Sequence, residues 1–187
     1  MNGRSPGDLG GRLLVATPLL GDSNFERTVV LILAHNADGA FGVVLNRPSD
    51  MTDAVVAPEW AEHVSAPAVV FIGGPVAQGD VIGLGRGGLR VSSPIHPDLG
   101  GLGTIDLNEA PTDGTHPCDG LRLFAGGAGW APNQLEDELR EGAWWVLPSV
   151  DDDVLTSDPD SLWVRVLRRQ RGDVAWFANH PLDPSQN

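Results

Sequence analysis

Two stretches of the chain are apolar at every position rather than at alternate ones. In Thr28 to Ala34, Val29, Leu31 and Leu33 fall on one side of an extended strand and Val30, Ile32 and Ala34 on the other. A strand apolar on both faces must be covered on both. Ala40 to Asn46 repeats the pattern after His35-Asn36-Ala37-Asp38-Gly39, whose Asp-Gly step predicts a β-hairpin. Further strands are expected at Leu13 to Ala16, Ala68 to Ile72, Asp80 to Leu84, Leu121 to Ala125 and Ala143 to Leu147, with a last one at Val174 to Ala178. Gly85 to Asp119 is rich in Gly and Pro, which predicts hairpins and long loops around strand-like pieces at Leu89 to Val91 and Thr104 to Leu107.

Helical spacing is rarer. Short helical patches are expected near Thr52 to Val56 and Glu59 to Val64, with Pro58 suited to a first turn. Asn133 to Gly142 carries the strongest helix signals. Asn133 and Glu136 have capping-box spacing, Leu135 and Leu139 share a face, Glu136 can pair with Arg140, and Gly142 is the stop. Asp158-Pro159 opens another helix, with Leu162, Trp163, Val166 and Leu167 on its buried side. Residues 1–11 read as a loose terminus, and residues 12–187 as a single domain without repeat or linker.

Composition narrows the chemistry. With 187 residues, 41% hydrophobic and 20% charged, the chain can bury a core of ordinary size. Its formal net charge of -13 disfavours duplex DNA and anionic membrane as partners. All 12 basic residues are arginines. Without a lysine there is no P-loop contact to nucleotide phosphates and no Schiff-base anchor for pyridoxal phosphate, so no cofactor is expected. The single cysteine, Cys118, allows neither an internal disulfide nor a Cys-rich zinc site, in keeping with a reducing cytoplasm. The apolar run Leu13 to Leu20 is broken by Thr17 and Pro18 and is far too short to span a membrane.

Several motifs match catalytic patterns without the context that chemistry requires. Gly3-Arg4-Ser5-Pro6-Gly7 has nucleophile-elbow spacing, but Pro6 lacks the N–H that an oxyanion hole needs. Gly83-Leu84-Gly85-Arg86-Gly87-Gly88 has dinucleotide-binding spacing, but Pro94 and Pro97 follow instead of a helix. Gly126-Gly127-Ala128-Gly129 stands before a helix whose first turn, with Glu136 and Asp137, would repel a phosphate. His116, Cys118 and Asp119 lack a second ligand pair for a metal. Arg165, Arg168, Arg169 and Arg171 are the one basic cluster, at a helix C-terminus where the helix dipole favours cations.

Four stretches, taken together, resemble the AlgH/YqgE family. They are Arg12 to Pro48, Gly73-Gly74-Pro75-Val76, Phe124 to Leu147, and the ending from Leu155. The chain departs from the family pattern at Gly127, where relatives carry an aromatic, and at Asn133, where they carry glycine. The resemblance implies an α+β fold in one compact domain, with a largely antiparallel sheet flanked by a few helices. It also brings the label of transcriptional regulator, which assigns no catalytic residue.

The candidate site lies where two doubly apolar strands stop. Asn46-Arg47-Pro48 and Gly73-Gly74-Pro75 each follow such a run and each end in a proline that forbids further pairing. If the strands are parallel neighbours, these ends meet within roughly 10 Å, two strand spacings. Arg47 then offers a forked donor beside open glycine backbone, either to tie down the Gly73-Gly74 loop or to hold a small ligand or partner. Trp130 and Gln134 form a secondary candidate. The favoured reading is a non-enzymatic cytoplasmic protein that acts through a protein partner or small molecule. Transcriptional regulation would require a helix-turn-helix or basic arm, and the sequence displays neither. An enzyme assembled from the Asn46-Arg47, Gly73-Gly74-Pro75 and Trp130 to Gln134 stretches is the third reading.

Overall fold

The computed structural model describes residues 7–87, 91–96, 99–111 and 118–179. Its frame is a largely antiparallel sheet of ten strands: β1 Arg12–Ala16, β2 Val29–Asn36, β3 Gly39–Val44, β4 Pro48–Thr52, β5 Val69–Ile72, β6 Val76–Arg86, β7 Val91–Pro94, β8 Leu102–Ile105, β9 Gly120–Trp130 and β10 Trp144–Pro148. The order is β10-β1-β2-β3-β9-β6-β8-β7, with β5 also on β9 and β4 outside β5. The β5–β9 ladder is the parallel pairing among these strands.

The doubly apolar pattern of β2 is used as expected. Val29 and Leu31 enter one buried cluster with Trp163, Val166 and Leu167 of helix α4, Leu162–Arg168. Val30 and Ile32 enter another with Trp130, Trp144 and Leu135 of helix α2, Gln134–Arg140. The β2–β3 hairpin forms as expected, but it pairs Asn36 with Gly39, so the turn residues are Ala37-Asp38 and not Asp38-Gly39. Beneath the other half of the sheet, Trp60 from a 3-10 turn at Pro58–His63 packs with Leu121, Leu123 and Cys118. The remaining helices are short: α1 Asp53–Val56, α3 Asp151–Val154 and α5 Asp173–Trp176. Leu9 to Gly11 are already tied to this frame. The Leu9 and Gly11 amides donate to the His35 ring and to the Ile32 carbonyl, at 3.2 and 2.8 Å.

Several expectations change. Val174 to Ala178 is helical, not a strand. A five-residue apolar run cannot separate the two periods, and the choice is made by packing, with Phe177 against Trp145 at 5.1 Å and Ala178 in the core. Gly126 to Gly129 continue β9 up to Trp130, so the strand runs past the Leu121 to Ala125 expected for it. Pro48 does not end pairing but opens β4 at the sheet's edge, where no partner asks for its missing N–H. Gly83 to Arg86 lie inside β6, hydrogen-bonded on both sides, which removes the strand-to-helix turn a dinucleotide needs. Leu89 and Gly88 lie outside the described residues.

Helix α2 begins differently from its sequence signature. Asn133 has φ 64° and its side chain caps nothing. Instead Gln134 Oε1 accepts from the Ala131 amide at 3.0 Å, Glu136 turns to His35 at 2.9 Å, and Arg140 pairs with Asp137. The capping box is therefore absent, and Asn133 is there because Asn and Gly tolerate the left-handed region. Asn133→Ser accordingly costs about 1 kcal/mol although serine is a good N-cap, and Asn133→Gly is at least as stable as the parent. Urea melts check this; a serine variant equal to the parent overturns the conformational explanation.

Candidate functional site

The predicted junction forms, but by a different geometry. Val44 N donates to Gly73 O and Ile72 N to Arg47 O, each at 2.8 Å, so the two segments touch. Their strands are not parallel neighbours. Strand β3 runs antiparallel to β9 at Ala128 to Trp130, while β5 runs parallel to it at Leu123 to Ala125. Both occupy one edge of β9 and meet head to head. The chain after β3 then steps outward by one strand and continues as β4 beyond β5.

This step explains each predicted side chain. Where β3 leaves β2, the Asn46 side chain replaces the missing backbone. Its Oδ1 accepts from Val29 N and its Nδ2 donates to Arg27 O, both at 2.9 Å. Arg47 does not tie down the Gly73-Gly74 loop with its guanidinium, which instead donates to Glu26 O at 2.6 Å. The glycines face backbone, not open space. A Cβ on Gly73 would lie 2.2 Å from Gly126 O, and one on Gly74 2.3 Å from Gly127 O. Pro75 then leads into β6. The polar groups of Asn46 and Arg47 are thus spent on holding the Glu26 to Val29 segment.

The secondary pair lies in a cleft of about 340 Å³ between the Leu19 to Phe25 loop, the end of β9, α2 and the start of β10. Three rings pack there: Trp130 and Trp144 at 6.0 Å edge to face, with Phe25 at 5.6 Å from Trp144. One carboxylate gathers them. Glu138 Oε2 accepts from the Trp130 and Trp144 indole nitrogens at 2.8 and 2.7 Å, and Oε1 accepts from the Gln134 amide nitrogen Nε2 at 2.9 Å. Spacing along α2 places Gln134, Glu138 and Glu141 on one side, four and three residues apart. Asp22 and Glu141 complete the lining, which contains no basic residue. Glu138 was not singled out by sequence because a helix-surface glutamate reads as solvated; its signal is the indole at each flanking strand end.

Nearby, Leu9 N donates to His35 Nδ1, so Nε2 carries the proton toward Glu136. The backbone N–H of Glu136 first, and then the His35 ring, hold the Glu136 carboxyl below its ordinary pKa.

Other candidates resolve structurally. Cys118 is buried, and desolvation pushes its thiol pKa up, opposite to an activated nucleophile. His116 and the Gly3 to Pro6 part of the elbow-like motif lie outside the described residues, and among those described no three potential ligands gather for a metal. Arg169 is forked onto Asp153 at 2.7 and 2.6 Å, and Arg165 binds Thr156, so the basic cluster is partly consumed. Arg122, which sequence left unremarked within β9, is 0% exposed. Its Nη2 donates to Ala66 O and Thr156 O, it lies 4.3 Å over the Phe71 ring, and burial lowers its pKa to about 10. A second cleft of about 600 Å³ runs between the 3-10 turn and β6 and β8, where Glu59, Asp80 and Asp106 do not converge on a shared partner.

Comparison with known proteins gives one consistent result. A family model described as AlgH-like matches residues 13–175. A UPF0301 protein of Streptomyces coelicolor is 50% identical, covering 96% of this chain and 95% of its own. The crystal structure of protein DIP2367 from Corynebacterium diphtheriae superposes with a TM-score of 0.80 at 33% identity, covering 95% and 94% of the two chains. The solution structure of the AlgH protein from Pseudomonas aeruginosa gives 0.66 at 29%, covering 97% and 98%.

Proposed function

Starting from the fact that this chain belongs to the AlgH-like family, whose members here carry no named activity, we propose that it is a non-enzymatic cytoplasmic protein that works by binding. Its recognition site is the Trp130–Gln134 cleft, and its ligand is a small molecule or a side chain of a protein partner. One observation carries this reading: Glu138 collects two indole N–H groups and an amide at the wall of an open cavity. Convergent polar groups in an aromatic-lined cleft are the usual signature of a binding site. The Asn46-Arg47/Gly73-Gly74-Pro75 junction is the scaffold that fixes the Phe25 loop over this cleft. Among the described residues, no helix is long and apolar enough to cross a membrane. The charge of -13 argues against duplex DNA as the partner, and with it against the regulator label.

The test is capture from native-cell extract on the immobilised chain and on Gln134→Arg, which sets a guanidinium beside Glu138 and fills the cleft. Gln134 is exposed, so the fold should tolerate the change. Mass spectrometry should find a species held by the parent and lost from the variant. Equal retention on both overturns the site, and chemical conversion of the captured species overturns the non-enzymatic reading.

A further inference from the structure

We propose that the cleft takes an organic cation, a guanidinium or ammonium head group on a short stem; this rests on the cleft being the recognition site. The charge of the cleft sets the first preference. Asp22, Glu138 and Glu141 all line the cavity, and its lining holds no arginine or histidine. None of the ion pairs among the described residues involves these three. The donors on Glu138 are two indoles and an amide, all neutral, so they fix the carboxylate in place without cancelling its charge.

The walls add the second preference. Trp130 and Trp144 are 6% and 4% exposed, with Phe25 half-buried at the rim. Aromatic rings attract a cation through their negative faces, Trp most strongly. The half-buried Glu138 carboxylate beside them reinforces the same sign of charge. A hard metal ion fits less well, since it demands six or so oxygens, and both Glu138 oxygens already accept hydrogen bonds. A guanidinium is weakly hydrated, planar and suited to stacking, so it loses least on entering. A cavity of about 340 Å³ suits such a group with a few carbons of stem.

The experiment follows the indole N–H signals of Trp130 and Trp144 by NMR while n-butylguanidinium, its neutral isostere n-butylurea, or n-butyl phosphate is added. Saturable shifts with butylguanidinium alone are expected. Glu141→Gln and Asp22→Asn, both exposed, should each weaken that binding about three- to fivefold at low salt. A capped Gly-Arg-Gly peptide is the last arm: tighter binding than butylguanidinium points to a partner's arginine, weaker binding to a free small cation, and either supports the cation class. Binding of the urea or phosphate probe with equal strength, or indifference to both substitutions, overturns the cation while leaving the cleft as the site. Silence of both indoles to all three probes overturns the cation and the site together.

Discussion

Gly74→Ala should lower stability by about 4 kcal/mol, a large effect for a single methyl group. Two costs add. Gly74 has φ 150°, a conformation that L side chains rarely adopt. The new Cβ would also meet Gly127 O, Gly127 C and Ala128 N at 2.3, 2.4 and 2.6 Å. All three are backbone atoms of β9, the strand that joins both halves of the sheet, so they cannot rotate away. Gly79→Ala is the control: its Cβ meets nothing within 4 Å, and the change should stay within about 0.5 kcal/mol. Urea denaturation of the two variants makes the comparison. If both melt with the parent, the close packing of the junction is wrong.

Asn46→Ala comes next, with an expected loss of about 3 kcal/mol. Val29 is fully buried, and its amide has the Asn46 side chain as acceptor. Truncation strands that N–H and the Arg27 carbonyl together, and a buried unsatisfied backbone group costs about 1–3 kcal/mol. Asn46→Asp provides the sharper check. It keeps the acceptor for Val29 but turns an oxygen toward the Arg27 carbonyl, so it too should destabilise. A parent-like Asp variant would show that only the Val29 bond matters. Because Arg27 and Phe25 belong to the same loop, both variants should also broaden the indole signals of the cleft.

The residues most legible in the sequence were those whose pattern has one physical solution. A strand apolar on both faces, such as Val29 to Ile32, must be sandwiched, and it is, between α4 and α2. The contact of Asn46-Arg47 with Gly73-Gly74 was expected too, but from parallel neighbouring strands stopped by proline; β3 and β5 instead meet end to end on one edge of β9, and Pro48 opens β4. The fold class and its family rested on the motifs from Arg12 to Pro48 and Phe124 to Leu147. Where local signals had two solutions, the expectation was decided wrongly or not at all. Asn133 could serve as a cap or as a left-handed residue, and Val174 to Ala178 could be strand or helix. Arg122, fully buried in β9, drew no expectation, because alternation does not say which face of a strand is buried.

By itself, then, the sequence determined that the chain folds as one α+β domain with a doubly covered sheet and lacks the lysines and cysteines of several chemistries, and it marked Asn46-Arg47 and Gly73-Gly74 as a candidate junction. Only the tertiary structure decided what that junction is for. The direction in which β3 and β5 approach β9 turns Asn46 and Arg47 into clamps and leaves the glycines filled by backbone. It also lays the Phe25 loop over Trp130, Glu138 and Trp144, which stand close together along the chain. The approach of that loop depends on strand order and register, which are set by long-range packing and leave no local spacing to read.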